Sequence, residues 1–136
     1  GRRVQAAWEA GVIPGMEYFL KLRKDMSFYL SACSSGQVQV WNCVGVHQQW
    51  MFELAEEGYF RLRNLFHMQC NGGSPSYLAC DLDSGTLHMA ETGALWSLEL
   101  HGGLHFVALV EMHSNKHLAL DFSKSPEQGA RMKLET

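Results

Sequence analysis

Tyr77-Leu78-Ala79-Cys80-Asp81 is the stretch that decides the fold, because the chain carries it three times in related form. Tyr29-Leu30-Ser31-Ala32-Cys33 precedes it and His117-Leu118-Ala119-Leu120-Asp121 follows it, so the copies begin at positions 29, 77 and 117. Self-similarity at a spacing of tens of residues marks a repeat architecture and constrains a fold more than any single segment does. A short alternating run stands before each copy: Tyr18-Phe19-Leu20-Lys21-Leu22, Tyr59-Phe60-Arg61-Leu62-Arg63 and His105-Phe106-Val107-Ala108-Leu109. A glycine and a second alternating run stand after each, as Gly36 to Val40, Gly85 to Met89 and Gly129 to Leu134. Period-two alternation makes strands with one buried face, and a glycine between two such strands makes a hairpin turn.

A fourth strand carries a tryptophan, in Gln48-Gln49-Trp50-Met51-Phe52-Glu53 and in Ala94-Leu95-Trp96-Ser97-Leu98-Glu99. The third repeat reaches Thr136 without one, while Gln5-Ala6-Ala7-Trp8-Glu9-Ala10 at the other end is a tryptophan segment without a repeat. Counted across the termini, Leu134 to Trp8 matches the spacing of Val40 to Trp50, and Trp8 to Tyr18 is close to that of Trp50 to Tyr59 and Trp96 to His105. The spacing predicts an N-terminal strand that completes the third repeat and brings the termini together. A short helix over residues 3–11 is the competing reading, since Ala and Glu favour helix. Three repeats of four strands make an all-β fold, a β-trefoil: a closed barrel of hairpins capped by a hairpin triplet, with the repeats sharing one core. The expected organisation is one domain over 1–136, with repeats at 12–53, 54–100 and 101–136 plus 1–11. The expected core is Trp8, Leu20, Leu22, Leu30, Val38, Val40, Trp50, Phe52, Leu62, Leu78, Leu87, Trp96, Leu98, Val107, Leu109, Leu118, Leu120, Met132 and Leu134.

Composition agrees. At 136 residues with 46% apolar and 18% charged side chains, the chain is ordinary globular material and not a disordered one. Eleven basic against fourteen acidic residues give a formal charge of −3, which argues against a nucleic-acid partner. No apolar run approaches the roughly 18 residues of a membrane span, so no membrane insertion is expected. No CxxC, HExxH, nucleophile-elbow or phosphate-loop pattern occurs. His113 and His117 flank a turn, and the spacing of His101 and His105 does not bring them together on a strand. Asp81 with Glu91, and Asp121 with Glu127, read as turn and cap residues. No catalytic residue, metal ligand or cofactor is expected, and the chain reads as a non-enzymatic binding module.

Two groups of residues carry a family resemblance. Val38-Gln39-Val40-Trp41-Asn42-Cys43 followed by Gln48-Gln49-Trp50 resembles the ricin-type lectins, whose repeats place an aromatic residue and a Cys after the third strand and then a Gln-x-Trp signature. Tyr77-Leu78-Ala79-Cys80-Asp81, Gly85-Thr86-Leu87 and Trp96-Ser97-Leu98-Glu99 look more like fascin-type trefoils. The first resemblance implies carbohydrate binding, in which an Asp, a stacking ring and an amide clamp the sugar. Carried over to the first repeat, it puts Trp41 at the stacking position, Gln39, His47 and Gln48 near the polar positions, and Ser31 where the Asp belongs. In the second repeat Ala79 and Ala90 stand for the Asp and the ring, and in the third Ala119 and Glu135 do, so at most the first site is retained. Trp41 also fits a packing role at a strand end. The second resemblance implies a rigid module that docks another protein or belongs to a larger assembly, through an apolar patch around Phe66 and Met68.

The cysteines depart from the ricin pattern, which would pair Cys43 with a Cys near Phe28 or Tyr29. In a hairpin turning at Ser35-Gly36, Cys33 lies opposite about Val38 and makes a poor partner for Cys43. Cys70 and Cys80 could close a loop, but free buried thiols are the simpler expectation. Together with a start, Gly1-Arg2-Arg3-Val4-Gln5, that lacks a secretion-signal pattern, this favours a cytoplasmic setting. Asn64 to Pro75 is expected to be the longest loop, and to lengthen the second repeat.

Overall fold

A computed structural model describes residues 2–70, 72–73, 76–101, 106–120 and 126–136. His105 and Asp121 fall outside the described residues, as does the Leu120 side chain. The four-strand repeat is written into the element order. The first repeat gives β1 (Glu17–Phe19), β2 (Tyr29–Ala32), β3 (Val38–Trp41) and β4 (Gln49–Leu54). The second gives β5 (Phe60–Asn64), β6 (Tyr77–Cys80), β7 (Leu87–Ala90) and β8 (Trp96–His101). The third gives β9 (Phe106–Glu111), β10 (His117–Leu120) and β11 (Ala130–Glu135). All pairings are antiparallel.

Barrel strands run in the order β1-β4-β5-β8-β9, and the tryptophan strands β4 and β8 are each paired on both sides. Trp50 and Trp96 are completely buried, and each indole N–H donates to a carbonyl of its own repeat, Leu30 at 2.9 Å and Leu78 at 3.4 Å. That explains why the repeat keeps Trp here: the ring fills the core and its one polar atom has a partner. Phe52, Leu62, Leu78, Leu98, Val38, Val40 and Met132 join them. The cap consists of the hairpins β2–β3, β6–β7 and β10–β11. Their turns contain Gly36, Gly85 and Gly129 at φ 89°, 76° and 80°, the left-handed region that glycine enters without steric penalty.

The N-terminal segment corrects the sequence expectation. Residues Arg2–Glu9 form a helix, α1, not a strand. Gln5, Ala6, Ala7 and Glu9 are good helix formers, and the Gln5 amide donates to Glu9 one turn on. Gly11, at φ 77°, ends the helix: its N–H donates to the Trp8 carbonyl at 3.0 Å and that of Val12 to Ala7 at 2.9 Å, the paired bonds of a Schellman motif. α1 packs on β8 and on the Glu56–Gly58 turn, with Ala7 buried and Arg3 3.9 Å above the Tyr59 ring. Trp8 faces outward at 73% exposure and contributes nothing to the core. Leu65–Cys70 also differs from expectation, being a helix, α2, instead of a loop.

Among the other expected core residues, Val107 is exposed and Leu20, Leu22 and Leu118 are only half-buried. All four line one cleft. The buried Phe28, Ala32, Phe60 and Leu95 take part without having been expected.

Candidate functional site

The outward face of the β2–β3 hairpin brings the five candidate residues into one neighbourhood. Register pairs Ser31 with Gln39 and Tyr29 with Trp41, so these alternate with the core residues Leu30, Ala32, Val38 and Val40. A 3-10 turn at Val46–Gln48 then folds over the hairpin and covers part of this face.

That cover removes two candidates from the surface. Ser31 is completely buried, with its hydroxyl donating to the Tyr29 carbonyl at 3.1 Å and accepting from Gln48 Nε2 at 2.9 Å. Gln48 is itself buried. The pair satisfies itself and pins the 3-10 turn to β2, as buried polar groups must be partnered.

Gln39, by contrast, is half-exposed and organises a surface network. Its Oε1 accepts from Trp41 Nε1 and from Cys33 Sγ, both at 2.9 Å, while its Nε2 donates to Gln37 Oε1 at 3.1 Å. Trp41 is half-buried. One edge of the ring rests against Gly129, where an added Cβ would lie 3.3 Å from Trp41 Cζ2. The neighbouring Gln128 Oε1 accepts the Asn42 amide at 2.7 Å. The indole is thus tethered through its N–H and braced at its edge. Burial pushes the Cys33 thiol above its usual pKa, and the neighbouring Trp41 N–H opposes that rise. Cys33 N donates to the Gln37 carbonyl, so this cysteine sits opposite Gln37, one residue from its expected partner.

His47 lies behind this face. Its Nδ1 is 2.9 Å from the Ala32 carbonyl and so carries the proton. Its ring stacks on Phe66 at 3.7 Å between centres, 24° from parallel. From α2, His67 Nε2 reaches the Cys33 carbonyl at 2.6 Å, and Asn64 Oδ1 accepts the His67 amide. Two imidazoles thus hold the carbonyl that ends β2 and the one that follows it. Phe66 is half-buried against this wall and Met68 is half-buried too, so the two do not form an open patch.

Sequence reasoning missed Gln37, His67 and Gln128. Gln37 was legible as an alternate residue on the same strand face as Gln39, whereas the other two arrive from distant segments. In the second repeat the equivalent face presents Ala79 against His88, and in the third Ala119 against Lys133 and His117 against Glu135, with no ring at the Trp41 position. All four thiols are free, and Cys43 and Cys70 are exposed, not buried as expected. Among the described residues no group of three His, Cys, Asp or Glu side chains is placed to hold a metal. Glu111, buried, accepts the backbone N–H groups of His113 at 3.0 Å and Ser114 at 2.7 Å, so its carboxylate is engaged in shaping the turn.

No protein-family model and no curated protein matches the chain. Solved structures do. A designed threefold-symmetric protein, ThreeFoil, is similar with a TM-score of 0.72 at 21% identity, over 88% of this chain and 89% of that one. A ricin B-like lectin from Macrolepiota procera, in complex with lactose, is similar with a TM-score of 0.73 at 18% identity, over 90% of this chain and 87% of that one. At these identities the likeness is one of fold, and the fold is the β-trefoil.

Proposed function

We propose that the chain is a non-catalytic recognition module that binds a glycan weakly through the first repeat, with the Trp41 ring as its platform. The observation that carries this reading is the tethering of Trp41 between Gln39 and Gly129. A half-exposed aromatic ring fixed before binding loses little freedom when a sugar face stacks on it. The trefoil shared with a lactose-bound lectin supports the same reading. Weak affinity follows from the polar residues: Ser31 and Gln48 are spent on each other, and Gln39 accepts two internal bonds. Gln39 and Gln37 then supply the amide contacts, and His47 acts as a support behind the strand.

The test is glycan-array binding followed by titration calorimetry on the wild type, Trp41→Ala and Trp41→Phe. Saturable binding by the wild type, abolished in Trp41→Ala and partly kept in Trp41→Phe with unchanged melting temperatures, is the expected result. Failure of the wild type to bind any glycan overturns it. A second reading, docking of another protein, is favoured by a separate observation: Phe19, Met26 and Val107 are exposed apolar side chains around one cleft.

A further inference from the structure

In the first two repeats a tryptophan strand closes the barrel seam. β4 lies between β1 and β5, and β8 lies between β5 and β9. Register places Phe60 and Val107 at the same position of their repeats, opposite Leu54 and Leu100, and Leu62 and Leu109 at the next, opposite Phe52 and Leu98. Tyr18 and Leu20 are the first repeat's counterparts, since Tyr18 faces Trp50 as Phe60 faces Trp96.

Between β9 and β1 no strand stands among the described residues. A cleft of about 400 Å³ lies there, lined by Leu20, Leu22, Val107, Leu109, Leu118 and Met132. The cost of the vacancy shows in one comparison: Phe60 is 1% exposed and its equivalent Val107 is 41% exposed. Trp50 and Trp96 donate to the carbonyls of Leu30 and Leu78. The third repeat's residue at that position is Leu118, on the wall of the cleft.

The charges at the rim say what is missing. At the seam between the first and second repeats, Glu53 stands three residues after Trp50. Its Oε2 is 3.0 Å from Arg63 Nε, and its carboxylate accepts the Tyr77 hydroxyl at 3.0 and 3.1 Å. Arg63 pairs with Tyr77 across the strands, and the equivalent bridge at the open seam is Lys21 with Tyr29. Lys21 Nζ lies 6.0 Å from the Tyr29 ring centre, and no carboxylate among the described residues pairs with it.

We infer that this seam receives a partner β-strand from outside these 136 residues, of the pattern Trp-x-(Leu or Phe)-Glu. The strand adds to the edges of β1 and β9. Its tryptophan enters the cleft toward the Leu118 carbonyl, its second apolar residue covers Leu20, the counterpart of Leu62 and Leu109, and its glutamate meets Lys21 and Tyr29. Main-chain pairing supplies affinity in such strand addition, and the alternate side-chain pockets supply specificity. A folded second copy is a poor donor, because its own tryptophan strands are already paired on both sides.

The probe is a synthetic peptide copying residues 48–54, Gln-Gln-Trp-Met-Phe-Glu-Leu, titrated calorimetrically into the whole chain with hydrogen exchange followed in parallel. The expected result is saturable one-to-one binding with new protection over residues 17–21 and 107–109. A peptide with alanine in place of the tryptophan should lose binding at least tenfold. Lys21→Glu, at an exposed position, should weaken the copied peptide at least tenfold and be rescued by a peptide carrying lysine in place of the glutamate. Absence of saturable binding, protection elsewhere, or indifference to loss of the tryptophan overturns the inference. So does a chain that dimerises without peptide and protects the same residues.

Discussion

The four tryptophans show how burial and hydrogen bonding, rather than residue type, set a side chain's energetic weight. Trp50 is completely buried with its N–H bonded, so Trp50→Ala should cost about 3–5 kcal/mol in urea unfolding, the usual range for deleting a buried ring. Trp8 lies on the surface, and Trp8→Ala should change stability by less than about 0.5 kcal/mol. The opposite ranking would mean that the segment around Trp8 belongs to the barrel after all. Cys80 makes a second residue-scale prediction. Burial pushes its thiol up to about 11, and the negative charges of Glu111 and Asp81 push in the same direction. Below the unfolded thiol's pKa of about 9 both states hold the proton, and the group leaves stability unaffected. Between about 9 and about 11 the unfolded thiol ionises while the folded one does not, so its contribution to stability falls as pH rises through that window. A Cys80→Ala chain should show a shallower alkaline decline in melting temperature. Alkylation at pH 8 should reach exposed Cys43 and Cys70 before Cys80.

At the level of elements, the hairpins were legible because their signals are local: alternation marks β2, β3, β6, β7, β10 and β11, and each turn carries the glycine its φ requires. The N-terminal helix was misjudged because the spacing of Trp8 happened to match the repeat. The contrary signals were also local, in the run of Gln, Ala and Glu and in the Gly11-Val12 terminator. Trp41 and Gln39 were legible as neighbours two apart on one strand face. The Ser31–Gln48 pairing was not, because it depends on how a 3-10 turn folds back across the hairpin. His67 was not, because it comes from an inserted helix. Gly93 tests how tightly one such connection is drawn. A Cβ there would fall on Tyr77 Cβ, and the next residue's amide is bonded to the Leu78 carbonyl at 3.1 Å. Gly93→Ala should therefore destabilise the protein by about 1–3 kcal/mol, measured by thermal or urea unfolding, because neither backbone can yield without breaking that bond. A neutral result would show that the β7–β8 connection has slack.

Across the whole molecule, the cap is a complete ring, and among the described residues the barrel is not. Gly36 O accepts the Met89 amide at 3.1 Å, Gly85 O accepts the Leu134 amide at 3.0 Å, and the Gly129 amide donates to Val40 O at 2.9 Å, so each hairpin is joined to the next. Below them, among the described residues, β1 has one barrel neighbour while β4, β5 and β8 have two. Strands with an open edge and few covering contacts exchange their amides through local opening. Without added peptide, β1 should exchange faster than β4, β5 and β8, and equal rates across the four would mean that the seam is closed in solution. The unequal placement of the indoles also has an optical consequence. Trp8 in water, Trp41 at half depth and Trp50 with Trp96 in the dry core form three emitting populations. Iodide should silence the red-shifted outer emission and leave a blue remainder that reports on the core alone. With Trp8 replaced by phenylalanine, the quenchable light comes from the ring proposed to meet the sugar.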